Sequence, residues 1–347
     1  MFQISLSIIE MILHDYGIQS KVHSFSELQR DDDKEHNPKL KEVHLIIKVE
    51  LNNGSAVVIR FKNELGVSLA LVEKQSQFAV LLKENGVETP TLYRNKDGFA
   101  KWYCINDYDV LVMVEEFVTG ELCYVTTEIA EKTGELLAKM HTIAERNHFH
   151  VENKVLFNPF AENELFTVSD FFAHKEELCI IDQALYQGIV EKYKEYNDIL
   201  FELQKEPSYA VQGDISNCNL YQTEKGVLGI FDFNRCGDNN LYCDAIMQAV
   251  FEARLMDYPK NYGKEREQKI LTAFLKGYKK KRPFSNLHQK MYPYLYAIID
   301  AFWSADIKWK EHSLLQELER GNQKVVCMWL KEIYQRISNC QTILTIS

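Results

Sequence analysis

Ile4, Ile8, Ile9, Met11, Ile12 and Leu13 fall at helical spacing, which predicts an amphipathic first helix closed by Gly17 as its C-cap residue. Ser20 to Leu28 predicts a first strand, after which Gln29 to Lys41 is polar, densely charged and free of Gly. Val43 to Leu51 and Ala56 to Phe61 are apolar or alternating around Asn52-Asn-Gly54, the signature of a hairpin. Leu71, Phe78, Leu81 and Leu82 mark a helix over Val67 to Asn85, stopped by Gly86 ahead of Pro90. Two further strands follow, at Lys101 to Ile105 and Val110 to Val114.

From Thr126 the periodicity turns helical, with Ile129, Leu136, Leu137, Met140 and His141 on one side. Phe157 to Phe172 reads as aromatic and loop-like, Lys175 to Leu203 as helical, and Pro207 breaks the chain. Helices are then predicted over Asp244 to Met256, Glu265 to Lys279, His288 to Trp309 and Leu314 to Ile337, with a loosely held tail beyond Cys340. The chain therefore reads as α+β, strand-rich first and helical afterwards, without repeats or low-complexity tracts.

A chain of 347 residues, 46% of them hydrophobic, can bury a large core, and its length corresponds to about two domains. The formal charge of -10 argues against broad binding to nucleic acid or an anionic membrane, since both rely on Lys and Arg to neutralise phosphates. A small molecule is the better partner. Eight cysteines lie scattered without a C-x-x-C pair, which suggests free thiols in a reducing cytoplasm. No basic segment precedes the first apolar stretch, and no apolar run approaches the roughly 20 residues of a membrane span. The expected location is the cytoplasm; oligomeric state has no signature here.

The candidate chemistry sits in Val211-Gln-Gly-Asp-Ile-Ser-Asn-Cys-Asn-Leu-Tyr221 and Val227-Leu-Gly-Ile-Phe-Asp-Phe-Asn234. Thr223 to Gly226 reads as a turn between two short strands, which brings Asn219 and Asp232 side by side. A carboxylate that orients a hydroxyl, together with an amide oxygen and a second carboxylate that hold Mg²⁺, is the equipment of phosphoryl transfer.

These residues resemble the catalytic loop and metal-binding Asp of the aminoglycoside phosphotransferase and choline kinase-like family, a small-molecule branch of the protein-kinase-like fold that also includes spore-coat-type members. The matches are Gly213, Asp214, Asn219, Asp232, Phe233 and Gly237-Asp238, with Asp244 opening the next helix; Gln212 stands in place of the usual His, and Asn234 where Gly is common. The resemblance implies two lobes: an N-lobe over 1–114, a hinge over 115–120 and a helical C-lobe over 121–347. It implies ATP or GTP as donor, Mg²⁺ held by Asn219 and Asp232, and a small hydroxyl-bearing acceptor of aminoglycoside, choline or homoserine type. Asp214 becomes the catalytic residue.

On the third strand Arg60 is favoured as the cation for the nucleotide phosphates, with Lys62 on the same face. The hinge, Glu115, Glu116 and Phe117, would meet the base through its backbone. The helix position that usually carries a Glu to pair with the strand cation holds Gln75, with Glu73 on another face. Asp238 and Asp244 are candidates either to face a cationic acceptor or, for Asp244, to cap its helix. His141 reads as a hydrogen-bonded core residue, Lys279 to Arg282 as a solvent-facing helix end, and the dense C-terminal aromatics as core. Arg30 to Lys41 is expected to be mobile. The alternative to an enzyme is a binding or structural protein, inactive or weakly active, on the same fold.

Overall fold

The structure is a computed structural model that describes residues 2–31, 42–122, 124–161, 167–254 and 264–339. Most of the charged stretch expected to be mobile, from 32 to 41, and the expected tail from 340 lie outside the described residues. The chain forms two compact units, one of Met1–Cys123 with Asn217–Asn234, the other of Tyr124–Ser216 with Arg235–Ser347.

The first unit opens with α1 (Leu6–Asp15), ended at Gly17 with φ of 75°. There follow β1 (Val22–Asp31), β2 (Val43–Leu51), β3 (Ala56–Asn63), α2 (Leu69–Glu84), β4 (Ala100–Ile105) and β5 (Tyr108–Glu116). The strands make one antiparallel sheet in the order β1-β2-β3-β5-β4. Asn106 and Asp107 turn β4 into β5 with φ of 50° and 64°, the left-handed pair a two-residue hairpin needs. Val57, Ile59 and Phe61 of β3 and Val110, Val112 and Val114 of β5 pack with Ile9, Ile12 and Leu13 of α1 into the core. Strand alternation turns Arg60, Lys62 and Glu115 to the opposite face, the face where Leu111 meets Val72 of α2.

The second unit begins with α3 (Thr127–Arg146), whose N-cap Thr126 accepts from the Ile129 amide. Next are α4 (Val168–Ala173), α5 (Lys175–Leu200), which kinks at Asp182, and β6 (Ser208–Val211). The chain then gives the first unit the hairpin β7 (Leu220–Gln222) and β8 (Leu228–Ile230) around the anticipated turn. Back in the second unit, β9 (Gly237–Asn240) pairs with β6, ahead of α6 (Leu241–Ala253), α7 (Lys264–Lys281), α8 (Asn286–Ala301), α9 (Leu314–Glu319) and α10 (Gln323–Ser338). Gly134 of α3 and Gly277 of α7 let these helices touch backbone to backbone: an added Cβ would lie 2.0 Å from the Phe274 carbonyl oxygen or 1.9 Å from that of Glu131.

Two helices read as continuous are interrupted. α8 stops at Ala301, and a five-residue π-turn, Ala305–Trp309, follows it. Gly321, with φ of 70°, separates α9 from α10. The basic end of α7 does more than face solvent, since Lys280 pairs with Glu131 and Glu135 of α3 and Arg282 with Glu145 at 2.6 Å. Among the described residues no helix is long and apolar enough to cross a membrane.

Candidate active site

In the first unit the face of β3 turned away from α1 carries two buried cations, Arg60 and Lys62. Arg60 Nε donates to Glu115 Oε1 at 2.7 Å and its Nη1 to Asp232 Oδ2 at 3.3 Å. Lys62 Nζ donates to the Asn234 side-chain oxygen. Residue 234 is tied at two further points: its amide donates to Asp232 Oδ1 at 3.2 Å, and its carbonyl accepts from Gln75 Nε2 at 2.7 Å. Phe233 packs edge-on against Phe78 of α2, with ring centroids 6.2 Å apart. Asp232 itself has φ of 57°, a left-handed conformation that Asp tolerates better than most residues.

The β7–β8 hairpin brings residues 219 and 232 together. Leu220 pairs with Ile230, and the Phe231 amide donates to the Asn219 carbonyl at 3.0 Å. Asn219 is buried, while the Asp232 side chain keeps 28% of its surface open. Burial works against ionising Asp232, but Arg60, Lys62 and the Asn234 amide outweigh it and hold its carboxyl below the usual range. Burial likewise opposes charge on Arg60, yet Glu115 and Asp232 leave its pKa raised. Lys62 is pushed down to about 8, first by burial and then by Arg60 beside it.

An ionised carboxylate at residue 232 and an amide oxygen at residue 219, on the two paired arms of one hairpin, are hard oxygen donors. Among the described residues, no three His, Cys, Asp or Glu side chains gather as a closed metal cage. That composition fits Mg²⁺, which keeps waters and phosphate oxygens in its shell and takes only one or two protein carboxylates.

Asp214 belongs to the second unit, in the loop after β6. Gly213 has φ of 81°, and a Cβ there would lie 2.8 Å from the Arg235 carbonyl oxygen, so Gly is required. Gln212, buried where the resemblance expects His, accepts from the Asp214 amide at 2.8 Å. The next amide, Ile215, donates to Gln248 Oε1 at 3.0 Å. Gln248 Nε2 reaches Asp244 Oδ1 at 3.4 Å; Asp244 Oδ2 meets His141 Nε2 at 3.0 Å, and His141 Nδ1 meets the Tyr278 hydroxyl at 2.9 Å. A buried chain of polar groups from α3, α6 and α7 thus ends on the backbone next to Asp214. His141 is fully buried, and burial lowers its pKa despite Asp244, as befits a core residue.

Several expected residues are placed differently. Asp244 does not cap its helix, because Asn240 supplies the cap to the Tyr242 and Cys243 amides at 3.0 and 2.9 Å; Asp244 is buried against His141 and Gln248. Asp238 accepts from the Val151 and Glu152 amides at 2.8 and 3.1 Å and so orders that loop. In the hinge, the Glu116 amide donates to Thr91 and the Phe117 amide to Ala56, and the Glu115 side chain is turned onto Arg60. Glu73 caps the start of β4, accepting from the Phe99 and Ala100 amides at 2.6 and 2.7 Å. Gln248 had no signal in the sequence, where it is one polar position inside an apolar helix.

Residues 46–284 match the sequence model of the phosphotransferase enzyme family. No match was found among curated protein sequences. Among solved structures the fold is similar to a microcompartment-associated aminopropanol kinase, at 14% identity and a TM-score of 0.59, covering 97% of this chain and 98% of that one. It is also similar to a spectinomycin phosphotransferase in complex with ADP and spectinomycin, at 12% identity and a TM-score of 0.55, covering 99% and 100%. A third is an amicoumacin kinase in complex with AMP-PNP and Ca²⁺, at 14% identity and a TM-score of 0.54, covering 94% and 93%. At these identities the likeness is one of fold.

Proposed function

The chain belongs to the phosphotransferase enzyme family, and from that premise we propose that it transfers the γ-phosphoryl group of ATP to a hydroxyl of a small molecule, in the cytoplasm. The observation that carries this reading is the hydrogen bond of Arg60 Nη1 to Asp232 Oδ2 at 3.3 Å, with the Asn219 backbone held in the same hairpin by the Phe231 amide. Two of the similar structures hold ADP or AMP-PNP, which supports a nucleotide as donor. The acceptor is a small polar molecule that bears a hydroxyl.

Mg²⁺ would supply positive charge against the donor phosphates when bound. Asn219 and Asp232 are the side chains that would hold it. Arg60, kept charged by its two carboxylate partners, would orient the phosphate oxygens, and Lys62 would add a second cation on the same strand face. Asp214 would accept a hydrogen bond from the acceptor hydroxyl and take its proton as the new P–O bond forms. Gln212, Gln248 and Gly213 fix the backbone that carries it. In a loose transition state most of the rate comes from this positioning, so small shifts of the loop are costly.

Binding of a ligand to the native state alone raises thermal stability by mass action. Millimolar Mg-ATP is therefore expected to raise the melting temperature, and Asp232→Ala to remove most of the shift. No shift in the parent protein would favour a binding protein that has given up phosphoryl transfer.

A further inference from the structure

We propose that Glu115 is the positioning residue for Arg60, so that the carboxylate which fixes the phosphate-directed cation comes from the sheet and not from α2. The proposal rests on the nucleotide reading above. Arg60 is opposite Met113 in the β3–β5 register, and Glu115, two residues further along β5, lies diagonally across on the same face. Its side chain is 8% exposed and accepts from Arg60 Nε at 2.7 Å.

Both acidic or amide candidates on α2 are committed elsewhere. Gln75 is uncharged and grips the Asn234 carbonyl, while Glu73 holds the first amides of β4. The cation and its carboxylate thus sit on neighbouring strands of one sheet, and no displacement of the helix can separate them.

The second partner of Arg60 explains why such a pair matters. Asp232 draws on the same guanidinium from its Nη1 side at 3.3 Å. With Glu115 in place, the Nε side is held to the sheet and the fork keeps a fixed direction. Without it, the buried guanidinium would be drawn from the sheet onto Asp232, the group proposed to hold the metal. Loss of Glu115 therefore acts on the phosphate end of a nucleotide, whereas the base and ribose are untouched.

The test compares MgADP with adenosine, both titrated calorimetrically into the full chain, for Glu115→Gln, Arg60→Gln and the double variant. Glu115→Gln should weaken MgADP about tenfold or more and change adenosine less than about twofold, in line with the loss of one charge-assisted hydrogen bond. The double variant should bind MgADP no worse than Arg60→Gln alone, because Glu115 acts through Arg60. Should Glu115→Gln fail to fold, Glu115→Asp keeps the charge one methylene short and should weaken MgADP alone by a smaller factor. The proposal is overturned if MgADP and adenosine weaken together, if neither changes, or if the two substitutions add. A parent protein that binds adenosine but no more tightly MgADP would overturn it while leaving a base site; one that binds neither overturns the nucleotide reading as well.

Discussion

The Lys62 ammonium donates to the Asn234 side-chain oxygen, joining β3 to the loop of Asp232 across 172 residues of chain. Asn234→Ala removes that acceptor but keeps the backbone bonds of residue 234 to Asp232 and Gln75. A buried donor left without its partner costs about 1–3 kcal/mol. The denaturation midpoint should fall accordingly with an unchanged m-value; a midpoint equal to the parent's would mean the contact contributes nothing.

Lys62 also sets a pH dependence. Its pKa is lowered to about 8, so below that it is charged and can meet a phosphate, and above it is neutral. MgADP affinity should decline as pH rises from 7 to 9, and binding near pH 8 should take up protons from the buffer. The folded state moves the other way: an unfolded lysine keeps its proton up to about 10.5, so Lys62 costs stability below pH 8 and this cost is relieved at higher pH. Lys62→Arg should flatten the affinity profile, and a parent profile already flat from 7 to 9 would contradict the assignment.

A second titration belongs to the core of the other unit. Glu252 of α6 is fully buried, neither carboxylate oxygen has a hydrogen-bond partner of good geometry among the described residues, and burial raises its pKa to about 8. The nearby Thr133 hydroxyl, which donates to the Ile129 carbonyl at 2.9 Å, offsets this only in part. With the folded pKa raised, the contribution of Glu252 is fully present below the ordinary value of 4.5 and is lost as pH climbs to about 8. The steepest loss is about 1.4 kcal/mol per pH unit. Glu252→Gln, neutral at every pH, should therefore gain on the parent in melting temperature as pH rises from 5 to 9. A constant difference would show that Glu252 is charged in the fold.

Gln248 tests the polar chain behind the loop that carries Asp214. Gln248→Ala takes the acceptor from the Ile215 amide, next to Asp214, while leaving nucleotide binding by the first unit alone. Turnover should drop by about tenfold or more with MgADP affinity within twofold. Equal loss of both would place Gln248 in the general stability of the protein.

Much of this was readable from the sequence, for local reasons. The hairpin that brings residues 219 and 232 together was legible because apolar strand runs flank a turn signal, and Asn52-Asn-Gly54 announced its hairpin. Strand alternation put Lys62 on the same face as Arg60, the position that the resemblance picks out. What could not be read depends on contacts through space. Sequence alone puts Glu115 in the hinge; its pairing with Arg60 depends on strand register, which is not written along the chain. Asp244 looked like a cap because the true cap, Asn240, lies one turn earlier, and its partner His141 is 103 residues away. The break after Ala301 was hidden because apolar residues continue through it. The association of 217–234 with the first unit had no local mark at all.

Phosphoryl transfer itself is observed most directly by ³¹P NMR of the protein incubated with Mg-ATP and a panel of small hydroxyl compounds, amino alcohols and aminocyclitols among them. The account predicts a new phosphomonoester resonance with at least one acceptor. Asp214→Asn should bind MgADP as the parent does yet form that ester about 10²-fold more slowly or worse, the range expected when a general base is removed. Ester formation by Asp214→Asn at the parent's rate, or binding of Mg-ATP by the parent with no acceptor-dependent ester across the panel, would contradict it.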